Sequence, residues 1–307
     1  MKPQIFVDGQ EGTTGLRIHD YLAQRPDLTV LLIDPDKRKD PAERKKLLDA
    51  ADLVFLCLPD AASREAVALI ENPRTRVIDA STAFRTHPGW VYGLPELDRG
   101  QRDALRAAVR VANPGCHAAA FILSVFPLLR AGLLRADATL AAFSLTGYSG
   151  AGKKMIAAYE SPPTAAPLAA RGPRPYALAL HHKHLPEMVH VTGLRHAPLF
   201  TPVICNVHSG LAVTTLIGRE HLTRPVTLAD LHACLSEHYA GEPFIRMMPL
   251  DPAASLDNGY LDITGCNNTN RADLFVCGHS EDSADPQFAL IARLDNLGKG
   301  ASGAAVQ

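Results

Sequence analysis

The chain opens on a short apolar run, Ile5-Phe6-Val7, that breaks into a glycine-rich loop, Asp8-Gly9-Gln10-Glu11-Gly12-Thr13-Thr14-Gly15. Leu16, Ile18 and Leu22 then recur at helical spacing, so a strand, a loop and a helix are expected in that order. Residues 28–33 read as a second strand, stopped by Asp34-Pro35-Asp36, and residues 43–50 as a helix. Residues 53–58 are unbroken apolar sequence ending at Pro59-Asp60, the pattern of a strand buried on both faces. A helix over 61–70 and a strand over 76–79 complete an alternation that predicts a parallel sheet with helices on both sides.

The texture changes after Asn113-Pro114-Gly115-Cys116-His117. Residues 118–129 form an apolar helical run, and residues 138–146 a long strand that ends at Gly147-Tyr148-Ser149-Gly150-Ala151-Gly152-Lys153. The Pro/Ala-rich stretch 161–175 is expected to be an exposed loop. Residues 199–207, 210–217, 259–264 and 271–276 read as strands of a mostly antiparallel sheet, with a helix at 228–239 between them. A strand at 288–294 and a Gly/Ala-rich segment, 296–307, close the chain. A nucleotide-binding α/β domain followed by an α+β domain is expected, with Cys116 at the seam.

Composition narrows the function classes. Lys+Arg total 31 and Asp+Glu 32 in 307 residues, and the short clusters Lys37-Arg38-Lys39 and Arg44-Lys45-Lys46 are flanked by acids, so no nucleic-acid partner is expected. No apolar run reaches membrane-spanning length, and the N-terminus enters a strand without a signal-peptide pattern. The six cysteines form no Cys-x-x-Cys pair, which points to a reducing cytoplasm rather than a zinc ribbon or a disulfide scaffold.

Gly9-x-x-Gly12-x-x-Gly15 lies between the first strand and the first helix, where glycines let the backbone approach a pyrophosphate at a helix N-terminus. Thr13 and Thr14 add hydroxyl donors. Asp34 stands where a ribose-binding acid is often found, which would favour NAD. Lys37, Arg38 and Lys39 follow at once and can pair a 2′-phosphate, which favours NADP.

Cys116 follows a Pro-Gly turn at a helix start, where free N–H groups and the helix dipole favour a thiolate nucleophile. Its proton partner is sought in His181-His182-Lys183-His184-Leu185-Pro186-Glu187. Glu187 would orient one imidazole. A metal site is the alternative, with His182 and His184 alternating onto one strand face and Cys116 or Glu187 completing it.

Taken together the motifs resemble one family, N-acetyl-gamma-glutamyl-phosphate reductase, in its shorter type. The resemblance is carried by residues 9–15, Asp79-Ala80-Ser81-Thr82-Ala83-Phe84-Arg85, Tyr92-Gly93-Leu94-Pro95-Glu96-Leu97, Asn113-Pro114-Gly115-Cys116, residues 147–153, His182-x-His184-x-Pro186-Glu187, and residues 295–307. It implies a Rossmann-type NADP(H)-binding domain over 1–116, completed by 296–307, and an α+β dehydrogenase catalytic and dimerisation domain over 117–295 with a mixed, largely antiparallel sheet. It also implies NADPH-dependent reduction of N-acetyl-gamma-glutamyl phosphate to N-acetylglutamate semialdehyde, a step of arginine biosynthesis, in a homo-oligomer, dimer or tetramer. Cys116 would be the nucleophile and His182 the acid/base, with His184 competing for that role; His181 makes a His-His pair where the family motif needs only His182.

On this reading Cys116 forms a thioester as phosphate leaves, hydride reduces it, and the histidine supplies the proton. The Cys116 N–H, with Asn113, would hold the oxyanion. Arg85, assisted by Ser81, would bind the leaving phosphate or a substrate carboxylate. Ser149, Gly150 and Lys153 would bind substrate phosphate or shape the nicotinamide pocket, and Asn296 and Gly298 would lie by the nicotinamide. The competing readings are a related dehydrogenase acting on another acyl phosphate such as aspartyl phosphate, a Cys116/His182 thiol hydrolase, and a non-catalytic dinucleotide sensor.

Overall fold

The computed structural model describes residues 2–9, 12–161, 171–280 and 285–307. They form two compact units, one of Met1–Pro95, Gly100–Gly115 and Ala301–Gln307, the other of Glu96–Arg99 and Cys116–Gly300.

The first unit runs β1 (Gln4–Asp8), α1 (Thr13–Ala23), β2 (Thr29–Leu31), α2 (Pro41–Ala50), β3 (Leu53–Leu56), α3 (Asp60–Leu69), β4 (Arg76–Asp79), β5 (Val91–Tyr92), α4 (Gln101–Ala107) and β6 (Arg110–Ala112). Its strands pair in the order β2-β1-β3-β4-β6-β5, all parallel. The central strands are apolar on both faces for a physical reason. Phe6, Val54, Leu56 and Val77 feed one core, while Ile5, Val7 and Phe55 feed another on the opposite side. Chain direction across the sheet reverses at β1, which has β2 on one side and β3 on the other, and such a reversal opens a crevice at the strands' carboxyl ends. Helix starts follow local chemistry: Asp40 caps α2 by accepting the Ala42 N–H at 2.8 Å, and Pro41 fills the first helical position.

The second unit runs α5 (Cys116–Arg130), β7 (Ala141–Gly147), α6 (Lys153–Glu160), β8 (Arg174–Pro175), α7 (Leu185–Thr192), β9 (Leu199–Cys205), β10 (Leu211–Gly218), α8 (Leu228–His238), β11 (Ile245–Met247), β12 (Ala272–His279) and β13 (Gln287–Leu294). The strand order is β11-β12-β13-β10-β7-β9-β8, parallel at β11–β12 and β7–β9 and antiparallel elsewhere, so the sheet is mixed. From His117 to Leu128 α5 is buried all round, packed on β10 and β13 and flanked by α7 and α8. The chain then makes one π-helical turn, Gly298–Ser302, and ends in α9 (Gly303–Val306), which packs on α1 in the first unit.

Two expectations need correction. Residues 259–264 are not a strand. Asn258 and Gly259 take left-handed φ values of 50° and 86°, and the Asp262 carboxylate accepts from the Thr264 N–H and hydroxyl at 2.8 and 2.6 Å, which closes a turn instead. The stretch 161–175 is not wholly loop, because Arg174–Pro175 pairs with β9; residues 162–170 lie outside the described residues. Cys116 and residues up to Gly300 group with the second unit, as does the short segment Glu96–Arg99. Within the second unit a buried ion pair joins Lys299 Nζ to Glu96 Oε2 at 2.7 Å, with both side chains fully inaccessible.

Removing one member of a buried pair leaves the other charge uncompensated. Glu96→Gln is therefore expected to destabilise the protein by about 3–5 kcal/mol, read as a lower urea midpoint; an unchanged midpoint would refute this role for the pair.

Candidate active site

Cys116 is the first residue of α5 and is half-buried, so its sulfur stands at a helix N-terminus as the sequence anticipates. The main chain of Gly300 lies against it: a methyl group at Gly300 would sit 2.6 Å from Cys116 Cβ and 3.0 Å from its Cα. The next residue, His117, turns inward. Its Nδ1 lies 2.9 Å from Ser144 Oγ on β7, and its Nε2 3.0 Å from the Tyr176 hydroxyl just after β8. Burial, with His182 and Lys183 adding like charge, pushes the His117 pKa down to about 3, so this ring is neutral at any working pH. Burial also raises the Tyr176 phenol, with the Cys116 charge adding to it.

His182 and His184 are not on a strand, so the strand-face geometry behind the metal alternative does not exist. Pro186 and the following apolar residues start α7, and His184 becomes its N-cap residue. The His184 amide donates to His182 Nδ1 at 3.2 Å. The rings of His182 and His184 stand 5.3 and 5.4 Å from that of His117 and 4.7 Å from each other. The Cys116 sulfur and one ring nitrogen each of His117 and His184 lie within 4.8 Å of one another. These are soft metal donors, but both His117 nitrogens are engaged by Ser144 and Tyr176. Glu187 is buried in the first turn of α7, three residues after His184. His181 points elsewhere, exposed and bonded to the Ala179 carbonyl at 2.8 Å.

Ser149, Gly150 and Asn296 are brought together. Asn296 donates to Ser149 Oγ at 3.0 Å and accepts the Gly210 N–H at 2.8 Å, and a side chain at Gly150 would meet the Asn296 amide at 3.2 Å. Lys153 begins α6, after the turn that carries Ser149 and Gly150.

In the first unit Ser81, Arg85 and Asn113 also cluster, at the ends of β4 and β6. Ser81 donates to Asp79 at 2.6 Å, Arg85 to the Asn113 and Ala80 carbonyls at 2.9 and 3.1 Å, and the Asn113 amide to the Ala301 carbonyl at 3.0 Å.

A cavity of about 770 Å³ lies at the carboxyl ends of β1, β2 and β3, where the strand order reverses. Gly9, at φ +89°, has no room for a Cβ, which would run into the Cys57 carbonyl. Gly12 caps α1 without a side chain, leaving the first-turn amides of that helix open, and Thr14 and Gly15 follow within the turn. The side chain of Thr13 is outside the described ones. The cavity is also lined by Arg38, Lys39 and Arg44, with Asp8 and Asp36. Lys37 is exposed and does not line it, so the basic pair moves one residue on, to Arg38 and Lys39. Asp34 instead caps the turn Pro35–Lys37. A backbone cradle at a helix N-terminus beside basic side chains fits a dinucleotide.

The family models for semialdehyde dehydrogenase match two segments, the NAD binding domain over residues 34–106 and the dimerisation domain over 116–296. An N-acetyl-gamma-glutamyl-phosphate reductase of Burkholderia cenocepacia is 46% identical over 310 residues, covering 99% of this chain and 95% of that protein. One from Pseudomonas putida, N-acetyl-gamma-glutamyl-phosphate reductase 2, is 44% identical over 99% of this chain and 95% of its own. The chain belongs to the N-acetyl-gamma-glutamyl-phosphate reductase family. Its fold is that of the semialdehyde dehydrogenases: aspartate semialdehyde dehydrogenase II from Vibrio cholerae superposes with a TM-score of 0.69 at 16% identity, over 100% of this chain and 97% of that one.

Within this family member, sequence reasoning missed Ser144, Tyr176, Gly300 and the inward turn of His117. His117 had the signal of following the cysteine directly, and Gly300 that of a glycine-rich end; Ser144 and Tyr176 had none. Burial pushes the Cys57 thiol up to about 12, with Asp79 and Asp8 adding to it, and raises those of Cys205, Cys234, Cys266 and Cys277. Iodoacetamide at neutral pH should therefore modify Cys116 ahead of the other five. Peptide mapping checks this, and preferential labelling of any other cysteine would contradict it.

Proposed function

We propose that this chain is an NADPH-dependent reductase that converts N-acetyl-gamma-glutamyl phosphate to N-acetylglutamate semialdehyde and phosphate through a thioester on Cys116. The observation that carries this is a cysteine at a helix start with imidazole nitrogen within 4.8 Å, in a chain 46% identical to a reductase of that name. The resemblance places such a step in arginine biosynthesis.

The Cys116 thiolate adds to the acyl phosphate carbonyl, the C–S bond forms and the C–O bond to phosphate breaks. The Cys116 N–H, at the start of α5, holds the oxyanion. When bound, the nicotinamide supplies the hydride that reduces the thioester. His184 is favoured as proton carrier over His182, because its ring nitrogen shares the Cys116 cluster. It takes the thiol proton and returns it to Sγ as the C–S bond of the thiohemiacetal breaks. His182 braces it, and Glu187, one helical turn on, stabilises the imidazolium. Ser149, Gly150 and Asn296 shape the nicotinamide pocket with Lys153 nearby, Gly9, Gly12, Thr13, Thr14 and Gly15 receive the pyrophosphate, and Arg38 and Lys39 take the 2′-phosphate. Arg85 with Ser81 holds the Asn113 loop and serves the substrate's anionic groups.

The six cysteines are all free, which suits a reducing, cytoplasmic setting, and no helix among the described residues is long and apolar enough to cross a membrane. The protein assembles as a homodimer through the outer face of the second unit's sheet. Leu216, Ala141 and Leu199 stand side by side there on β10, β7 and β9, with Phe143 in the adjoining row, and Leu216, Leu199 and Phe143 are 45%, 51% and 40% exposed.

With N-acetylglutamate semialdehyde, phosphate and NADP, wild type should form NADPH, Cys116→Ser should lose at least about 10³-fold in kcat, and Arg38→Ala should raise KM for NADP more than for NAD. Full activity in Cys116→Ser would sink the mechanism, and turnover only of the aspartyl analogue would reassign the substrate. Phe143→Glu is expected to shift the protein from dimer to monomer in sedimentation; a wild-type monomer would refute the dimer.

A further inference from the structure

Ser144 decides where His117 carries its proton. The Ser144 side chain is fully buried and, among the described residues, its hydroxyl has only His117 Nδ1 as hydrogen-bond partner, at 2.9 Å. Were Nδ1 protonated, the serine proton would be buried with no acceptor, a cost of about 1–3 kcal/mol. The reverse arrangement satisfies both groups: Ser144 O–H donates to Nδ1, and the neutral ring keeps its proton on Nε2. Nε2–H then donates to the Tyr176 oxygen at 3.0 Å.

A phenol oxygen that already accepts from His117 still has its own O–H to place. Tyr176 is half-buried, its ring stands 5.8 Å from that of His182, and Cys116 is close enough to act on it electrostatically. The groups around His117 are Cys116 on its own helix, Ser144 on β7, Tyr176 after β8, His182, Lys183 and His184 before α7, and Phe200 on β9. None of them is a carboxylate that would draw a second proton onto the ring.

We propose that His117, fixed as the Nε2–H tautomer by Ser144, is a positioning residue that frees the Tyr176 hydroxyl to donate to the carbonyl oxygen of the acyl group on Cys116. The donor role rests on the thioester reading above; the tautomer does not.

Two measurements test it. Nitrogen-15 NMR of histidine-labelled wild type, with His117→Gln for assignment, should show an unprotonated Nδ1 and a protonated Nε2 on His117 across the range in which exposed histidines titrate. A protonated Nδ1 overturns the proposal. In kinetics, Tyr176→Phe should lower kcat about 100-fold while KM for the acyl phosphate stays within about twofold. His117→Asn, whose short amide reaches the Ser144 side only, should match it, and the double variant should be no slower than either single. His117→Gln, whose amide N–H stands in for Nε2–H, should recover kcat to within about fivefold of wild type. A merely structural role would rank the variants by melting temperature rather than by donor. Wild-type kcat in Tyr176→Phe overturns the donor role. A wild type without reductase activity would fell the reductase reading and the donor role with it, and would leave the tautomer to the NMR result.

Discussion

The catalytic unit is organised around a close approach at the first turn of α5. The Gly300 main chain lies so near Cys116 that no side chain fits between them. Such a contact holds only if the approaching segment is held, and the residue before the glycine does this. Lys299 is fully buried, and its ammonium meets Glu96 at 2.7 Å. A buried ion pair adds little net stability over an apolar pair of equal volume. What it supplies is register, because an ammonium that must reach one carboxylate admits one placement of the turn. The π-helical form of Gly298–Ser302, in which Gly300 donates to the Asp295 carbonyl at 2.9 Å, suits a segment shaped for position rather than for regular packing.

That constraint explains why the polar groups near Cys116 are arranged without a resident charge. From Ala118 to Leu128 α5 is buried on every side, with Ser124 its one polar side chain, so the low-dielectric interior begins just beyond Cys116. His117 sits on that boundary and answers it by staying neutral. A neutral His117 leaves the charge near Cys116 to the other groups around it, Lys183, Glu187 and the histidines that precede α7. On the proposed mechanism, a charged His117 would compete with those histidines for the Cys116 thiolate and shift the proton balance the reaction needs.

Much of the first unit was legible because its signals are local. Apolar runs such as Leu53 to Leu56, stops such as Asp34-Pro35-Asp36 and the glycines of the loop each act within a few residues. The antiparallel region was less so. Asp257 and Tyr260 bond to each other instead of to a sheet, which no alternation of side chains over 259–264 could reveal. In the site, Cys116, Ser149 and Asn296 were legible as motif members. Their partners were not, because Ser144 reaches His117 across 27 residues, Tyr176 across 59, and Glu96 reaches Lys299 across 203. The histidine pair failed in a different way. Its spacing fits a strand as well as a turn, and only Pro186, read as a helix start, separates the two.

The two units solve their binding problems with different parts of the chain. The crevice beside β1 is built largely from main chain: Gly9 and Gly12 have no side chains to offer, and no side chain caps the first-turn amides of α1. Side-chain charge there is largely spent already, since Arg44 places both Nε and Nη2 on Asp8, at 3.1 and 2.7 Å, with both residues mostly buried. That pair fixes α2 against the end of β1 and leaves Arg44 little to give a ligand. On the proposed reading, discrimination between a 2′-phosphate and a 2′-hydroxyl would fall to Arg38 and Lys39, which are exposed and line the cavity, so pairing with an anion costs them little desolvation. A backbone cradle accepts any dinucleotide, so on the proposed reading coenzyme choice would rest on two surface residues that can change without disturbing the fold.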